Sequence, residues 1–260
     1  EGQFAETVGL LHERIASLEL ALEDVGWQRL ISTSENEFTR EGLKVISQIA
    51  RIFYLKNPII KRGVEVKKFY VWGQGMNIRA HVDEINSVIQ TFMDDPHNRT
   101  ELTSHQARGM KEVDLEVDGN VFLVLFTNPS TGQVRVRSIP FDEITEIISN
   151  PEDSKEIWYY KRVWNENSVS METGSIETTP KTEYYPDWSY QPANKPDTIG
   201  NTRINWDSPV YHIKVGGFSH WKFGISEIYS AIDWAKAYKE FLEDWATLTR
   251  AYSRFAWQVT

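Results

Sequence analysis

The stretch from Ser226 to Phe255, SEIYSAIDWAKAYKEFLEDWATLTRAYSRF, decides the fold because its periodicity is the strongest signal in the chain. It contains neither proline nor glycine, and at 1.5 Å per residue it would form a helix of about 45 Å. Its large apolar residues follow one another at alternating steps of four and three, which is a heptad pattern. They are Trp234, Tyr238, Phe241, Trp245, Leu248, Tyr252 and Phe255.

A second apolar stripe lies beside the heptad residues on the predicted helix. It consists of Ile228, Ile232, Ala235, Leu242 and Ala246. A helix that is apolar over so wide an arc has to be covered on two sides. Two interpretations meet this requirement: a central core helix of its own domain, or a helix packed between neighbouring subunits of an oligomer. The second interpretation makes the seven heptad residues candidate subunit-interface residues.

Helical periodicity also dominates the first part of the chain. Helices are predicted at residues 11–22, from Ser34 or Glu35 to before Pro58, from Pro58 to about Trp72, at 82–93 and around 102–113. The first of them either packs on its own domain or forms an arm that binds a partner. Asn57 and Pro58 provide an N-cap and a proline at the first helical position. Gly73-Gln74-Gly75 then predicts a turn rather than a dinucleotide-binding fingerprint, which would follow a strand.

The period changes after about residue 113. A continuous apolar run at Val121 to Phe126, a turn at Asn128 to Gly132 and alternation from Val134 to Ile139 predict a β-hairpin. A strand is predicted from Ile157 to Trp164, and another from Val210 to Val215. We therefore predict an α+β fold with N-terminal helices, a small antiparallel hairpin-based sheet near residues 113–164, and a long C-terminal helix.

Residues 165–208 are polar and rich in proline, threonine and serine. A segment of this composition cannot form a core alone. We predict an extended flap whose aromatic residues dock on distant parts of the chain or on a neighbouring chain. The domain organisation predicted on this basis is a mixed domain at 1–215, with the flap inside it, followed by the long helix at 216–260.

Composition limits the functional classes. The chain has 260 residues, a net charge of −9, no cysteine, and the high aromatic content of 10 Trp, 11 Tyr and 12 Phe. A disulfide framework, a thiolate nucleophile and Cys-ligated zinc are excluded. No apolar run approaches the ~20 residues of a membrane span, so no membrane anchor is expected. Glu1 to Leu10 lacks the pattern of a secretory signal, and the negative charge disfavours tight nucleic-acid wrapping.

No catalytic constellation is recognisable, so we predict that the protein is not an enzyme and has no cofactor and no metal. The chain lacks a GxSxG elbow and a GxxxxGK[ST] phosphate loop. The histidines at 81 and 97 lie near aspartates, but without the spacing of a zinc-binding helix. The carboxylates Asp142, Glu143 and Glu146 fit a solvated helix face better than an acid–base pair. A basic cluster formed by Lys61, Arg62, Lys67 and Lys68 fits a solvated or interfacial helix face better than a nucleic-acid-binding patch.

Several short motifs, taken in order, resemble the portal proteins of tailed bacteriophages. Asn57-Pro58-Ile59-Ile60-Lys61-Arg62 through Tyr70-Val71-Trp72-Gly73-Gln74-Gly75 resembles their N-terminal helix and the turn that ends it. Asp118-Gly119-Asn120-Val121-Phe122 resembles a strand of that family, and Gly132 through Ile139-Pro140 and Glu143-Ile144 resembles its hairpin exit. Val210-Tyr211-His212-Ile213 followed by Gly224-Ile225-Ser226 resembles its entry to a long helix. The order agrees over nearly the whole chain.

The resemblance implies a ring, usually a dodecamer, at one vertex of the virion capsid. Such a ring is the channel for packaging and ejection of double-stranded DNA, which passes non-specifically, and it joins head to tail. The implied partners are further copies of the chain, the major capsid protein, the terminase motor and head–tail adaptor proteins, with assembly in the host cytoplasm. Residues 1–215 would be the wing and the last helix a stem helix that lines or backs the channel.

The sequence also departs from the portal pattern. The clip domain, the second stem helix and the tunnel loop of that family have no counterpart in these 260 residues. Two other functions therefore stay open on the sequence alone: a soluble hydrolytic enzyme with an aromatic flap (Tyr184 to Tyr190) over a cleft, and another head–tail adaptor that shares only the wing-like elements.

Overall fold

The computed structural model describes residues 38–169 and 176–255, so the helix expected at 11–22 lies outside the described residues. The chain divides into two compact units, residues 1–44 and 45–260. Helix α1 begins in the first unit and ends in the second. The longer helices are α1 (Arg40–Lys56), α2 (Pro58–Trp72), α3 (Asp83–Asp94), α4 (His105–Asp118) and α5 (Ile232–Phe255), and a single helical turn at Pro96–Asn98 follows α3.

The strands belong to two three-stranded antiparallel sheets and one small hairpin. They are β1 (Asn120–Thr127), β2 (Val134–Ile139), β3 (Ile144–Ser149), β4 (Ile157–Val169), β5 (Ile176–Pro186), β6 (Thr198–Ile199), β7 (Thr202–Arg203) and β8 (Val210–Lys214). One sheet has the order β2-β1-β8 and the other β3-β4-β5, while β6 pairs with β7. The predicted α+β class with a long C-terminal helix is confirmed.

Local chemistry sets the boundary between α1 and α2. The Oδ1 atom of Asn57 accepts hydrogen bonds from the backbone N–H groups of Ile59 and Ile60, and Pro58 occupies the first helical position. This is the N-cap that the sequence predicts. Helix α2 ends at Trp72, as expected, and the predicted helix at 82–93 is present as α3.

Apolar side chains from helices and sheets form separate clusters in the second unit. In the helical cluster, Ala50, Ile60, Val64 and Val117 surround the start of α5. The two sheets meet where Phe122 of β1 contacts Tyr160 of β4 edge to face, with ring centroids 5.7 Å apart. Both residues are fully buried, so they fix the sheets against each other.

Two helices begin later than predicted because side-chain caps compete with the helical pattern. Helix α1 starts at Arg40 rather than near Ser34, and the Oγ1 of Thr39 accepts a hydrogen bond from the N–H of Gly42. The helix expected around 102–113 is shifted to His105–Asp118, with a π-helical turn at Arg99–Thr103 before it. Ser104 separates the two, since its Oγ caps the N–H of Ala107.

The long helix also begins later than expected, at Ile232 instead of about Ser226, after a 3₁₀ turn at Tyr229–Ala231. The reason is tertiary. The N–H of Glu227 donates to the carbonyl oxygen of Glu116 at the end of α4, and the Oγ of Ser226 donates to the same oxygen. Residues 226–228 are therefore bound to α4 instead of to the first turn of α5.

The first part of the segment predicted as a flap contributes to a long β-hairpin. Strands β4 and β5 pair from Tyr159 opposite Pro186 to Val169 opposite Ile176. Threonine and tyrosine, which favour strands, recur along β5 and explain this pairing. At the base of the hairpin, Tyr184 packs with Tyr159 and Ile204 in one cluster.

Candidate functional site

Among the described residues, the buried positions of α5 lie near its beginning. Ile232 and Ala235, together with Ile228 before the helix, are buried in the helical cluster. From residue 236 to residue 253 every side chain is exposed. The anchored part therefore covers about one turn, and the following turns extend into solvent.

Six of the seven predicted interface residues form an exposed face on α5, which we call the aromatic stripe. They are between 48% and 79% exposed, although they are large and apolar. They are Trp234, Tyr238, Phe241, Trp245, Leu248 and Tyr252. At 100° per residue they fall within an arc of roughly 80°. The side chain of Phe255 lies outside the described residues.

All six residues of the stripe are exposed, so other side chains of α5 make its contact with its own domain. Ile232 and Ala235 lie roughly 130° around the helix from the centre of the stripe, and they make the contact with the domain instead. The stripe consequently faces away from the helical cluster.

The charged residues of α5 lie outside the stripe. Lys239 pairs with Glu243 at 3.6 Å one turn later, and Lys236 lies 3.9 Å from Asp233. The helix is thus strongly amphipathic, but its apolar side faces solvent. Contiguous apolar faces of this kind mark sites of association. Burying six such side chains would contribute on the order of 10 kcal/mol before the entropy cost of association.

A second structural feature, which we call the joint, sets the direction in which α5 leaves the domain. The Nδ2 of Asn120 donates to the carbonyl oxygen of Gly224 at 3.0 Å, and the N–H of Gly224 donates to the Oδ1 of Asn120 at 2.7 Å. The Nε2 of His212 lies 3.1 Å from the same Oδ1. Because Oδ1 is an acceptor, Nε2 carries the proton in the neutral ring.

His212 is half-buried, and its ring packs against the core. Its ring stacks on Phe122 with centroids 4.2 Å apart. Burial lowers the pKa of His212 to about 3, and the charge of Lys214 contributes in the same direction. The imidazole is therefore neutral at physiological pH and acts as a hydrogen-bond donor within the joint.

Two glycines of the joint have no room for a side chain. A Cβ atom on Gly119 would lie 2.4 Å from the backbone carbon of Ile225, and Gly119 also has a φ of +72°. A Cβ on Gly224 would lie 2.2 Å from the carbonyl oxygen of Gly119. Strand β1 and the segment that leads to α5 can approach this closely only because both residues are glycine.

A polar cluster connects α1 to the joint. The Nε and Nη2 of Arg51 donate to the two carboxylate oxygens of Asp118 at 2.8 and 2.9 Å, and its Nη1 donates to Asp142 at 2.6 Å. The hydrogen bond with Asp118 raises the pKa of Arg51, and Ser47 donates to Asp118 as well. Asp118 directly precedes Gly119, so the cluster fixes the joint relative to α1.

The other carboxylates and histidines considered in the sequence form ion pairs or are exposed. Asp142 pairs with Arg51, while Glu143 pairs with Arg162 at 2.7 Å and Glu146 with Lys161 at 3.6 Å. His81 and His97 are exposed. Within residues 38–169 and 176–255, no group of three or more His, Cys, Asp or Glu residues is arranged to hold a metal ion. Each helix in the same ranges is too short or too polar to span a bilayer.

A scan of the chain against models of known protein families finds no match. A search of curated proteins likewise finds no significantly similar sequence.

Two features of the structure were not recognised from the sequence. The joint combines residues about a hundred positions apart, and no local pattern indicates that Asn120 pairs with Gly224. The second feature is an apolar face on α1, whose residues also follow a helical spacing. They are Val45, Ile49, Ile52, Leu55 and, at the start of α2, Ile59, all of them exposed.

Proposed function

We propose that this protein is a structural subunit of a ring-shaped portal at a capsid vertex of a tailed bacteriophage. In this role it has no catalytic activity. The ring, usually of twelve copies in the family that the sequence resembles, conducts double-stranded DNA during packaging and ejection and joins the head to the tail. Helix α5 corresponds to the stem helix, and the mixed domain before it to the wing.

The observation that carries the proposal is the exposure of the aromatic stripe along the free part of α5. A single chain leaves six large apolar residues in water, which is unfavourable by several kcal/mol. Neighbouring copies in a ring would cover them. Tryptophan and tyrosine are also the residues that dominate binding energy at interfaces.

The motifs that resemble portal proteins support the proposal in a second way. Asn120 belongs to one of these motifs, and His212 and Gly224 belong to another, yet the three residues form one hydrogen-bonded joint. This joint determines where α5 starts. In a ring, the stem helix has to leave the wing in the same direction in every copy. The motifs therefore meet at the point that would set the direction of α5.

The charge of the chain suits a DNA channel. Each copy has a net charge of −9. A conduit has to let a polyanion slide, and a weakly repelling wall does this better than a basic one. The proposed partners are therefore DNA without sequence preference, the major capsid protein, the terminase motor and head–tail adaptors, and the proposed location is the virion.

The first test is the mass of the purified protein in solution. Sedimentation velocity or light scattering should give about a dozen times 30.2 kDa, and negative-stain microscopy should show annular particles. Particles of one or two chains at every concentration tested would contradict the proposal. That result would favour the alternative of a soluble enzyme.

A second test separates a portal from another head–tail adaptor. Phage particles carrying an epitope tag on this protein are labelled with gold-conjugated antibody, before and after removal of the tail. A portal should be present in tailless heads, at a single vertex. Loss of all label together with the tail would identify an adaptor instead.

A further inference from the structure

A groove runs along α5 beside the aromatic stripe. It has a volume of about 600 Å³ and lies between the end of α1, the start of α2 and the free part of α5. Its apolar lining comes from Ile52, Phe53 and Ile59 on one side and from Tyr238, Leu242 and Ala246 on the other. We call it the α1–α5 groove.

The groove is continuous with the exposed apolar face of α1. Ile52 and Ile59 belong to both, and Leu55, which lies between them, is 73% exposed. Together the groove and this face form an apolar surface made largely of aliphatic side chains. This surface suits contact with a row of large aromatic rings, because the contact would remove the apolar area of both surfaces from water.

The charges around the two surfaces are complementary. Lys56, Lys236 and Lys239 lie along the groove, with Glu243 as the one acidic neighbour. The groove borders one edge of the stripe, and Glu240 and Asp244, both exposed, lie beyond its other edge. At 100° per residue these two acids lie about 40° apart and next to the stripe.

We infer that the α1–α5 groove of one copy receives the aromatic stripe of the next copy, with Lys56 and Lys239 facing the neighbouring Glu240 and Asp244. This inference rests on the proposed ring assembly and names the surface on which it depends. The occupant is a second copy of the chain, because the stripe supplies the apolar rings, the adjacent acids and the length that the groove requires.

The positions of the two surfaces determine the symmetry of the contact. Stripe and groove lie on adjacent sides of α5 and share Tyr238 at their boundary, so one copy can insert the rest of its stripe into a neighbour while its own groove is filled by another. Such a head-to-tail contact produces a closed ring when the rotation between copies closes. A two-fold contact of stripe with stripe would leave every groove empty.

Charge reversal tests this assignment. A groove variant, Lys56→Glu with Lys239→Glu, and a stripe variant, Glu240→Lys with Asp244→Lys, should each sediment as free subunits at concentrations where the unchanged protein is a ring. All four residues are exposed, so circular dichroism should show unchanged folding. Lys61→Glu with Lys155→Glu, which makes the net charge more negative by the same amount as the groove variant, is the matched control for that variant and should form rings.

Two rescue experiments make the test specific. An equimolar mixture of the groove and stripe variants should form rings again, because each contact then joins opposite charges. The protein with all four substitutions should also form rings. The inference would be overturned if the groove variant formed rings by itself, or if neither experiment restored them. Either result would leave the proposed ring assembly of the unchanged protein standing. If the unchanged protein forms no ring, the proposed function fails first.

Discussion

Aromatic side chains are concentrated in two regions of the chain: in one they pack against one another, and in the other they are exposed. Around the base of the β4–β5 hairpin, Trp158 stacks on Tyr190 at 5.6 Å, and Tyr159 contacts Trp206 at 5.9 Å. On α5, Phe241 and Trp245 are also close, at 6.2 Å, but both stay more than half exposed.

The difference lies in backbone geometry. A hairpin and the loop after it bring rings from separate segments to one place, where they cover one another. A single straight helix presents its rings in a row, so each ring has only its neighbours along the row and water on the outer side. The same side chains therefore form a core in the first region and an association surface in the second.

The largest effect on the single chain is expected from removing a ring of the packed region. Tyr160 is fully buried and donates a hydrogen bond to Asp187 at 2.8 Å. Tyr160→Ala should lower the free energy of unfolding by about 3–5 kcal/mol, measured by urea denaturation. Tyr160→Phe keeps the ring and should cost only about 1–2 kcal/mol. Equal losses for both variants would contradict the assignment of the ring to the core.

The packed region should also respond to acid through His212. The folded chain protonates this residue near pH 3, whereas the unfolded chain does so near 6.5, so the unfolded state binds more protons between these values. Stability contributed by neutral His212 should be complete above about pH 6.5 and fall on the order of 4 kcal/mol as the pH drops towards 3. His212→Gln, which keeps a donor without titrating, should lose less stability in this range. Parallel losses in urea denaturation would refute the prediction.

Two tryptophans provide a matched comparison of the regions. Trp206→Ala removes a ring from the packed cluster and should cost about 2–3 kcal/mol of unfolding free energy. Trp245→Ala removes an exposed ring, so the isolated subunit should change by less than about 0.5 kcal/mol. Sedimentation velocity beside thermal melting should show that Trp245→Ala shifts rings to free subunits before the subunit unfolds. Intact rings with a lowered melting temperature would place Trp245 in the subunit core.

Amide hydrogen exchange should show the smallest but most local difference. The free turns of α5 lack tertiary contacts, so their amides should exchange quickly in isolated subunits and become protected in the ring. The paired segments of β4 and β5 near Tyr159 and Pro186 should be protected in both states. Protection of α5 that does not depend on assembly would contradict the exposed position of the stripe.

The sequence predicted local features well where the chemistry is local. The end of α1, the cap at Asn57 and the proline at the start of α2 follow from adjacent residues. The start of α5 could not be predicted from adjacent residues, because Ser226 is hydrogen-bonded to a carbonyl group of α4 more than a hundred residues earlier. Strand β5 was missed as a strand since its polar threonines resemble a loop until their pairing with β4 is known.

The candidate site was predictable to a similar degree. The heptad spacing placed Trp234 to Tyr252 on one side of one helix, and the structure has them there. Spacing alone does not tell whether such a side faces its own domain or solvent. That outcome depends on Ile232 and Ala235, which bury the start of α5 in the helical cluster. It also depends on a groove formed by residues far apart in the sequence.

The joint makes α5 a lever. Its 24 residues measure about 36 Å, and it is held at one end by the pairing of Asn120 with Gly224 and by about one buried turn. A rotation of roughly 5° at that end would move the far tip by about 3 Å, which is close to the width of an atom layer. The hydrogen bonds of one asparagine therefore determine the direction of a rod many times their own length, and a small change at Asn120 would be amplified at the tip.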